Sequence, residues 1–279
     1  MRRRHLVVTL AAVAGFLHPG GARATTLERS FQSQSLGGVE HYAVYLPPGY
    51  WSSGRRYPVI YALHGLPSGP DGYSDLPIWS WGRIAVAAGR PVIVVAPQGA
   101  RRGDSDPEWH DWGAGRDWES DVAEDLVEQI DRTYRTVPDR RHRAIIGLSA
   151  GGYGSMLIGL HHLDTFSVIQ SWSGYFHPTN PAGTAPLSVG TAAQNAAANA
   201  FTYVPLLPRW FATWPTYVGF YVGDADWRFL AENRRLDRAL RRAGVTHHFE
   251  VFSGGHSYAL WTKHQRAWVR RAVRELARS

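Results

Sequence analysis

Two runs constrain the fold of this chain more than any other feature. "YPVIYALHG" (57–65) and "PVIVVAPQG" (91–99) are apolar almost without interruption, and each ends in glycine. A strand that covers one solvent face alternates apolar with polar residues. A strand buried on both faces has no polar side to show, and that is the condition of a parallel sheet clothed by helices. "HYAVYLPPGY" reads as an earlier strand closed by a Pro-Pro-Gly turn, and "RAIIG", "FSVIQSWSG", "TYVGFYVG" and "THHFEVFSGG" as later strands. Helical segments fall between them. "DWESDVAEDLVEQIDRTYRT" places Val122, Leu126, Ile130 and Tyr134 four residues apart, which is one face of a helix. "FLAENRRLDRALRRAG" ends on a C-terminal glycine, and "LWTKHQRAWVRRAVREL" closes the chain's pattern. Strands alternating with helices predict one doubly wound α/β domain with a mostly parallel sheet and helices on both faces.

The opening "MRRRHLVVTLAAVAGFLHPGGARA" has a basic start, an apolar run from Leu6 to Leu17 and an Ala22-Arg23-Ala24 end. These are the parts of a secretory signal cleaved after Ala24, so the expected plan is a signal at 1–24 and a single domain at 25–279. The expected location is extracellular. Arg2-Arg3 before His5-Leu6 loosely matches a twin-arginine signal, and the general and twin-arginine routes are both open. Without the four arginines of this segment, 26 basic residues face 23 acidic ones, a net of +3. That charge is too small and too scattered for a nucleic-acid partner. No later stretch is apolar enough to span a bilayer. With no cysteine in the chain, there is no disulfide framework, thiol nucleophile or thiolate metal site. Three turn-rich stretches, near 66–90, 98–117 and 177–210, interrupt the rhythm as loop insertions, and loops of that length are usually functional or mobile.

The strand "RAIIG" runs into Gly147-Leu148-Ser149-Ala150-Gly151, the G-x-S-x-G spacing of a nucleophile elbow. A serine hydroxyl is a weak nucleophile and needs a base, a group that orients the base, and donors for the oxyanion that forms. Such parts belong at the C-terminal ends of strands, in the order serine, acid, histidine. Asp224 and Asp226 follow one later strand in "YVGDADW", and His256 follows the next in "FSGGHSYALW". Spacing alone does not choose between the two aspartates. The backbone N–H of Ala150 is one candidate oxyanion donor, and the Leu66 N–H, after the turn at Gly65, is the second. The pairs His161-His162 and His247-His248 are adjacent residues, which on a strand point to opposite faces. No H-E-x-x-H is present, and neither a metal nor a cofactor is expected. In "PEWHDWGAGRDW" the tryptophans either stack on a sugar or aryl group or pack the loop.

"LPPGYW", "RRYPVIYALHG", "WES", "EDLVEQIDRTYRT", "IIGLSAGGYGSM", "SGYF" and "SGGHSYALW" together resemble the esterase branch of the α/β-hydrolase superfamily. That branch includes esterase D (S-formylglutathione hydrolase), feruloyl esterases of xylan-degrading systems and the secreted trehalose mycolyltransferases. The resemblance covers roughly residues 40 to 275. It implies Ser149 as nucleophile, His256 as base, and Asp226 as the acid that ends a Gly-x-x-Asp step. It places the early oxyanion donor on Leu66, and Trp118-Glu119 matches a recurring Trp-Glu before a helix. Glu119 is read first as structural support and second as a pocket residue. The expected function is a secreted serine esterase acting through an acyl-serine on a small-molecule, carbohydrate or lipid ester. The alternatives are acyl transfer to a sugar hydroxyl, as in the mycolyltransferases, and a non-catalytic binding protein on a hydrolase scaffold.

Overall fold

A computed structural model describes residues 23–104, 107–180 and 182–276. The signal-like opening through residue 22 lies outside the described residues. Eight strands form one sheet: β1 (Thr25–Ser33), β2 (Gly38–Leu46), β3 (Val59–Leu63), β4 (Ile93–Pro97), β5 (Arg143–Leu148), β6 (Val168–Trp172), β7 (Tyr217–Gly223) and β8 (His248–Phe252). Their order is β1-β2-β4-β3-β5-β6-β7-β8. Strands β3 to β8 pair in parallel, and β1 and β2 add antiparallel on one side. This is the expected mostly parallel, doubly wound architecture of the α/β-hydrolase fold.

Each central strand alternates between two cores, which is why its run reads as unbroken. Val59, Tyr61 and Leu63 of β3 join one core, against Leu126 and Ile130 of α3 (Leu126–Thr133), Met156 and Ile158 of α4 (Ala150–His161), and Leu236 and Leu240 of α7 (Leu230–Arg242). Ile60 and Ala62 join the other, against Trp81 and Ala85 of α1 (Ile78–Ala87) and Leu260, Trp268 and Val269 of α8 (Tyr258–Leu276). Every residue of β3, β4, β5 and β6 is buried.

Three parts of the fold depart from the sequence reading. The stretch near 66–90, expected to be a loop, contains α1. Pro77 at its N-cap and buried Ile78, Trp81 and Ala85 give it a start and an inward stripe, but the surrounding glycines, serines and prolines mask that periodicity. The 177–210 stretch likewise holds α5 (Ala192–Ala197), closed at its start by a Thr191–Gln194 capping box, and the beginning of α6 (Leu207–Thr213). Strand β1 was also not anticipated. Its sequence alternates weakly: Leu27 and Phe31 are the only apolar side chains that pack on the core, and buried Ser33 closes the strand, as suits an edge strand.

The chain moves from β3 outward to β4 and then returns to the other side of β3 as β5. At such a reversal the following segments leave in opposite directions, and a crevice opens at the strands' C-terminal ends. The turn after β3 and the turn after β5 therefore meet. They carry Gly65-Leu66 and Ser149.

Candidate active site

Ser149 stands between β5 and α4 with φ +56° and ψ −122°, a backbone conformation that is strained for a residue with a side chain. Close neighbours hold it there. A Cβ on Gly147 would overlap the Gly151 carbonyl, and one on Gly151 would overlap the Leu63 carbonyl. A Cβ on Gly65 would come within 3.0 Å of the Ser149 Cβ. The Ser149 N–H donates to the Trp172 carbonyl of β6 at 2.9 Å. The glycines of the motif thus have a steric reason: only their lack of side chains lets the β3 and β5 turns close on each other.

His256, in the turn after β8, brings its Nε2 to 2.8 Å from Ser149 Oγ, and its Nδ1 lies 2.8 Å from Oδ2 of Asp226. A carboxylate only accepts, so Nδ1 carries the hydrogen and Nε2 is left to accept from the serine hydroxyl. The Asp226 side chain is fully buried. Asp224, the alternative, instead accepts the Gly254 N–H at 2.9 Å and staples the β7 turn to the β8 turn. Phe229 and Trp261 stand against the His256 ring, each with its centroid 5.2 Å away.

Ala150 is the first residue of α4, where a backbone N–H has no partner within the helix. The Leu66 side chain packs on the cluster formed by Ala150, Tyr153 and Tyr175, and the preceding Gly65 lies directly against Ser149. The turn that carries Leu66 rests on His64, a buried residue to which the sequence reading assigned no role. One of its ring nitrogens lies 2.9 Å from the Gly65 carbonyl and the other 2.7 Å from the Gln98 carbonyl. Burial lowers its pKa. Nothing short of the folded loops distinguishes this histidine from an ordinary strand-end residue.

The tryptophans of "PEWHDWGAGRDW" divide by burial. Trp109 is completely enclosed, stacks edge-on against His64 and donates Nε1–H to its carbonyl at 3.1 Å. Trp118 is equally buried, and half-buried Trp112 donates to the Pro107 carbonyl at 2.8 Å. Burial makes Trp109 and Trp118 packing residues.

His161 and His162 correct the opposite-faces reading. They lie at the C-terminal end of α4, not on a strand, and both reach Oε1 of buried Glu119, at 2.6 and 3.2 Å. Burial would raise the Glu119 carboxyl, but the two imidazole hydrogen bonds hold it at about 2. His247 and His248 do diverge, toward Asp237 and Glu250. Among the described residues no group of three or more His, Asp or Glu side chains is disposed to hold a metal. No helix among them is long and apolar enough to cross a membrane.

The family model described as "Putative esterase" matches residues 33–267. An esterase of Mycobacterium tuberculosis is 32% identical over 145 residues, covering 52% of this chain and 31% of that protein. An endo-1,4-beta-xylanase/feruloyl esterase of Xylanibacter ruminicola is 30% identical over 157 residues, 52% of this chain and 21% of the other. The chain thus spans only about a third or less of the length of these curated relatives. Among solved structures, a ferulic acid esterase superposes with TM-score 0.74 at 25% identity, over 91% of this chain and 99% of that one. An S-formylglutathione hydrolase from Agrobacterium tumefaciens superposes with TM-score 0.74 at 20% identity, over 91% and 96%. With the fold, the strand-end placement of the site and a family match across most of its length, this chain belongs to the esterase family of α/β-hydrolases.

Proposed function

We propose that this protein is a serine carboxylesterase that works through an acyl-serine intermediate. The observation that carries the reading is the unbroken chain Ser149 Oγ–His256–Asp226, with both hydrogen bonds at 2.8 Å, ending on a serine held at positive φ at the topological switch point. His256 Nε2 takes the hydroxyl proton as Ser149 Oγ attacks the ester carbonyl, and Asp226 stabilises the imidazolium. The N–H groups of Ala150 and Leu66 receive the oxyanion. His256 then returns the proton to the departing alcohol, and a water activated by the same imidazole releases the acid. The step needs only side chains and backbone amides.

The ester is extracellular on this reading, because the composition of residues 1–24 is that of an export signal. An acylated sugar or a feruloyl ester is the favoured substrate class. The names borne by the Xylanibacter relative and by the ferulic acid esterase support it.

The test is hydrolysis of p-nitrophenyl esters from acetate to long acyl chains, with wild type beside Ser149→Ala. Loss of about 10³-fold or more in kcat/KM on that change is the expected result. Equal rates for the two proteins would overturn the reading. Feruloyl and acyl-sugar esters, run with and without trehalose, then separate hydrolysis from transfer to a sugar.

A further inference from the structure

We propose that Ser173 is a positioning residue for His256, acting through the indole of Trp261. The proposal rests on the acyl-serine reading above and adds to it a part that neither the motif nor the family match assigns.

Among the described residues, four that are not glycine have positive φ: Glu108, Trp109, Ser149 and Ser173. Ser149 is the elbow. Ser173, at φ +51°, leaves the end of β6, the strand beside the elbow, and is completely buried. Glycine would adopt that backbone without strain, and the next residue is in fact Gly174. A serine kept at such a position calls for a use of its hydroxyl. Its Oγ accepts the Nε1–H of Trp261 at 3.1 Å, a bond between two buried groups.

Trp261 lies five residues beyond His256, in the first turns of α8. Its ring meets the imidazole at 84°, with 5.2 Å between centroids. The two hydrogen bonds of His256, at Nδ1 and Nε2, pin the imidazole at two points. They leave it free to roll about the line that joins those points. A perpendicular indole on one contact and the Phe229 ring on another, at 63°, oppose that roll. The indole can do so only while its own rotation is fixed, and the Ser173 hydroxyl fixes it. The same short segment also holds the nucleophile, because the Trp172 carbonyl accepts the Ser149 N–H. The Ser173 N–H, in turn, donates to the Tyr221 carbonyl at 2.7 Å. Trp172-Ser173 therefore sets the serine backbone with one residue and the histidine's supporting ring with the next.

The test compares Ser173→Gly, Trp261→Phe and the double variant with wild type on the p-nitrophenyl ester that wild type turns over fastest. Ser173→Gly removes the hydroxyl and the backbone strain together, while Trp261→Phe keeps an aromatic ring and removes only the donor. Each single variant is expected to lose about 5- to 20-fold in kcat, with KM within about twofold. The double variant should lose no more than the worse single, because both changes break one bond. A downfield proton resonance from His256 Nδ1–H, sharp in wild type, should broaden in both variants. Unchanged kcat and an unchanged resonance in both, or losses that multiply in the double variant, would overturn the proposal. If Ser173→Gly does not fold, Trp261→Phe carries the test alone. A wild type as inactive as Ser149→Ala would instead sink the acyl-serine reading. The resonance, which needs no substrate, would still decide whether the Ser173–Trp261 bond orders the ring.

Discussion

Asp224 and Asp226 stand two residues apart in one turn, and only their surroundings separate them. Asp226 is buried against His256, while Asp224 faces outward and accepts a backbone N–H from the neighbouring turn. On the proposed mechanism, Asp226→Asn leaves the shape of the site but favours the wrong imidazole tautomer, so kcat should fall by about 10³-fold or more. Asp224→Asn keeps an oxygen to accept from Gly254 and should stay within about twofold of wild type. Steady-state kinetics on one ester decides between them, and equal losses would move the acid's role away from Asp226. Sequence order could name the pair of aspartates, but the choice within it depends on which carboxylate is driven inward when the β7 turn closes on Phe229 and His256. His64 is the same kind of case. Its two carbonyl contacts come from Gly65 beside it and Gln98 on a separate loop, and only the folded loops bring the second one close.

At the scale of elements, the helical segment after the 98–117 stretch shows how a pattern can be right in kind and still hide its use. Val122, Leu126 and Ile130 recur every four residues, which on a regular α-helix drifts by about 40° at each step. The segment absorbs the drift by running as α2 (Trp118–Ser120), then a wide π-type turn at Asp121–Asp125, then α3. All three residues stay buried. The same segment sets Glu119 against the end of α4, the helix whose other end carries Ser149. Helix α4 is therefore tied at its C-terminus by a carboxylate between two imidazoles. The Glu119 pKa is depressed from its ordinary 4.5 to about 2. Its contribution to stability is thus present above 4.5 and is lost as pH falls through 2. His162 adds the opposite limb. Burial works against its charge, but Glu119 raises its pKa, so its contribution is present below 6.5 and fades as pH rises through the raised value. Glu119→Gln should cost about 2–3 kcal/mol at pH 5.5 and much less at pH 2.5, as read by denaturant unfolding at the two pH values. A difference that does not depend on pH would mean that Glu119 acts by packing alone.

For the whole molecule, the acid balance is tilted by a second buried group. Glu40 of β2 and Asp121 are both completely enclosed. Burial, aided by the charges of Asp125 and Asp111, raises Asp121 from 3.8 to about 7, and burial beside Asp121 also raises Glu40. A raised folded-state pKa stabilises the fold at low pH and loses that benefit as pH rises through it. Stability should therefore fall between about pH 4 and 7 on this account. Asp121→Asn should gain about 1–3 kcal/mol at pH 8 and nothing near pH 3.5. Thermal unfolding across that range measures it, and a gain at both pH values would point to repacking in place of charge. Taken together, these scales divide what was legible from what was not. Runs of apolar residues, the glycines around Ser149 and the order serine, aspartate, histidine were determined by the sequence alone, because strand burial and turn sterics act between near neighbours along the chain. The burial of Asp226 against His256 with Asp224 left outside, the convergence of His161 and His162 on Glu119, the enclosure of Trp109 and the Ser173–Trp261 bond were decided only by the tertiary structure. His256 meets Ser149 across 107 residues and Trp261 meets Ser173 across 88. No local propensity encodes a contact at that separation, and it exists only once the parallel sheet has brought its strand ends to one edge.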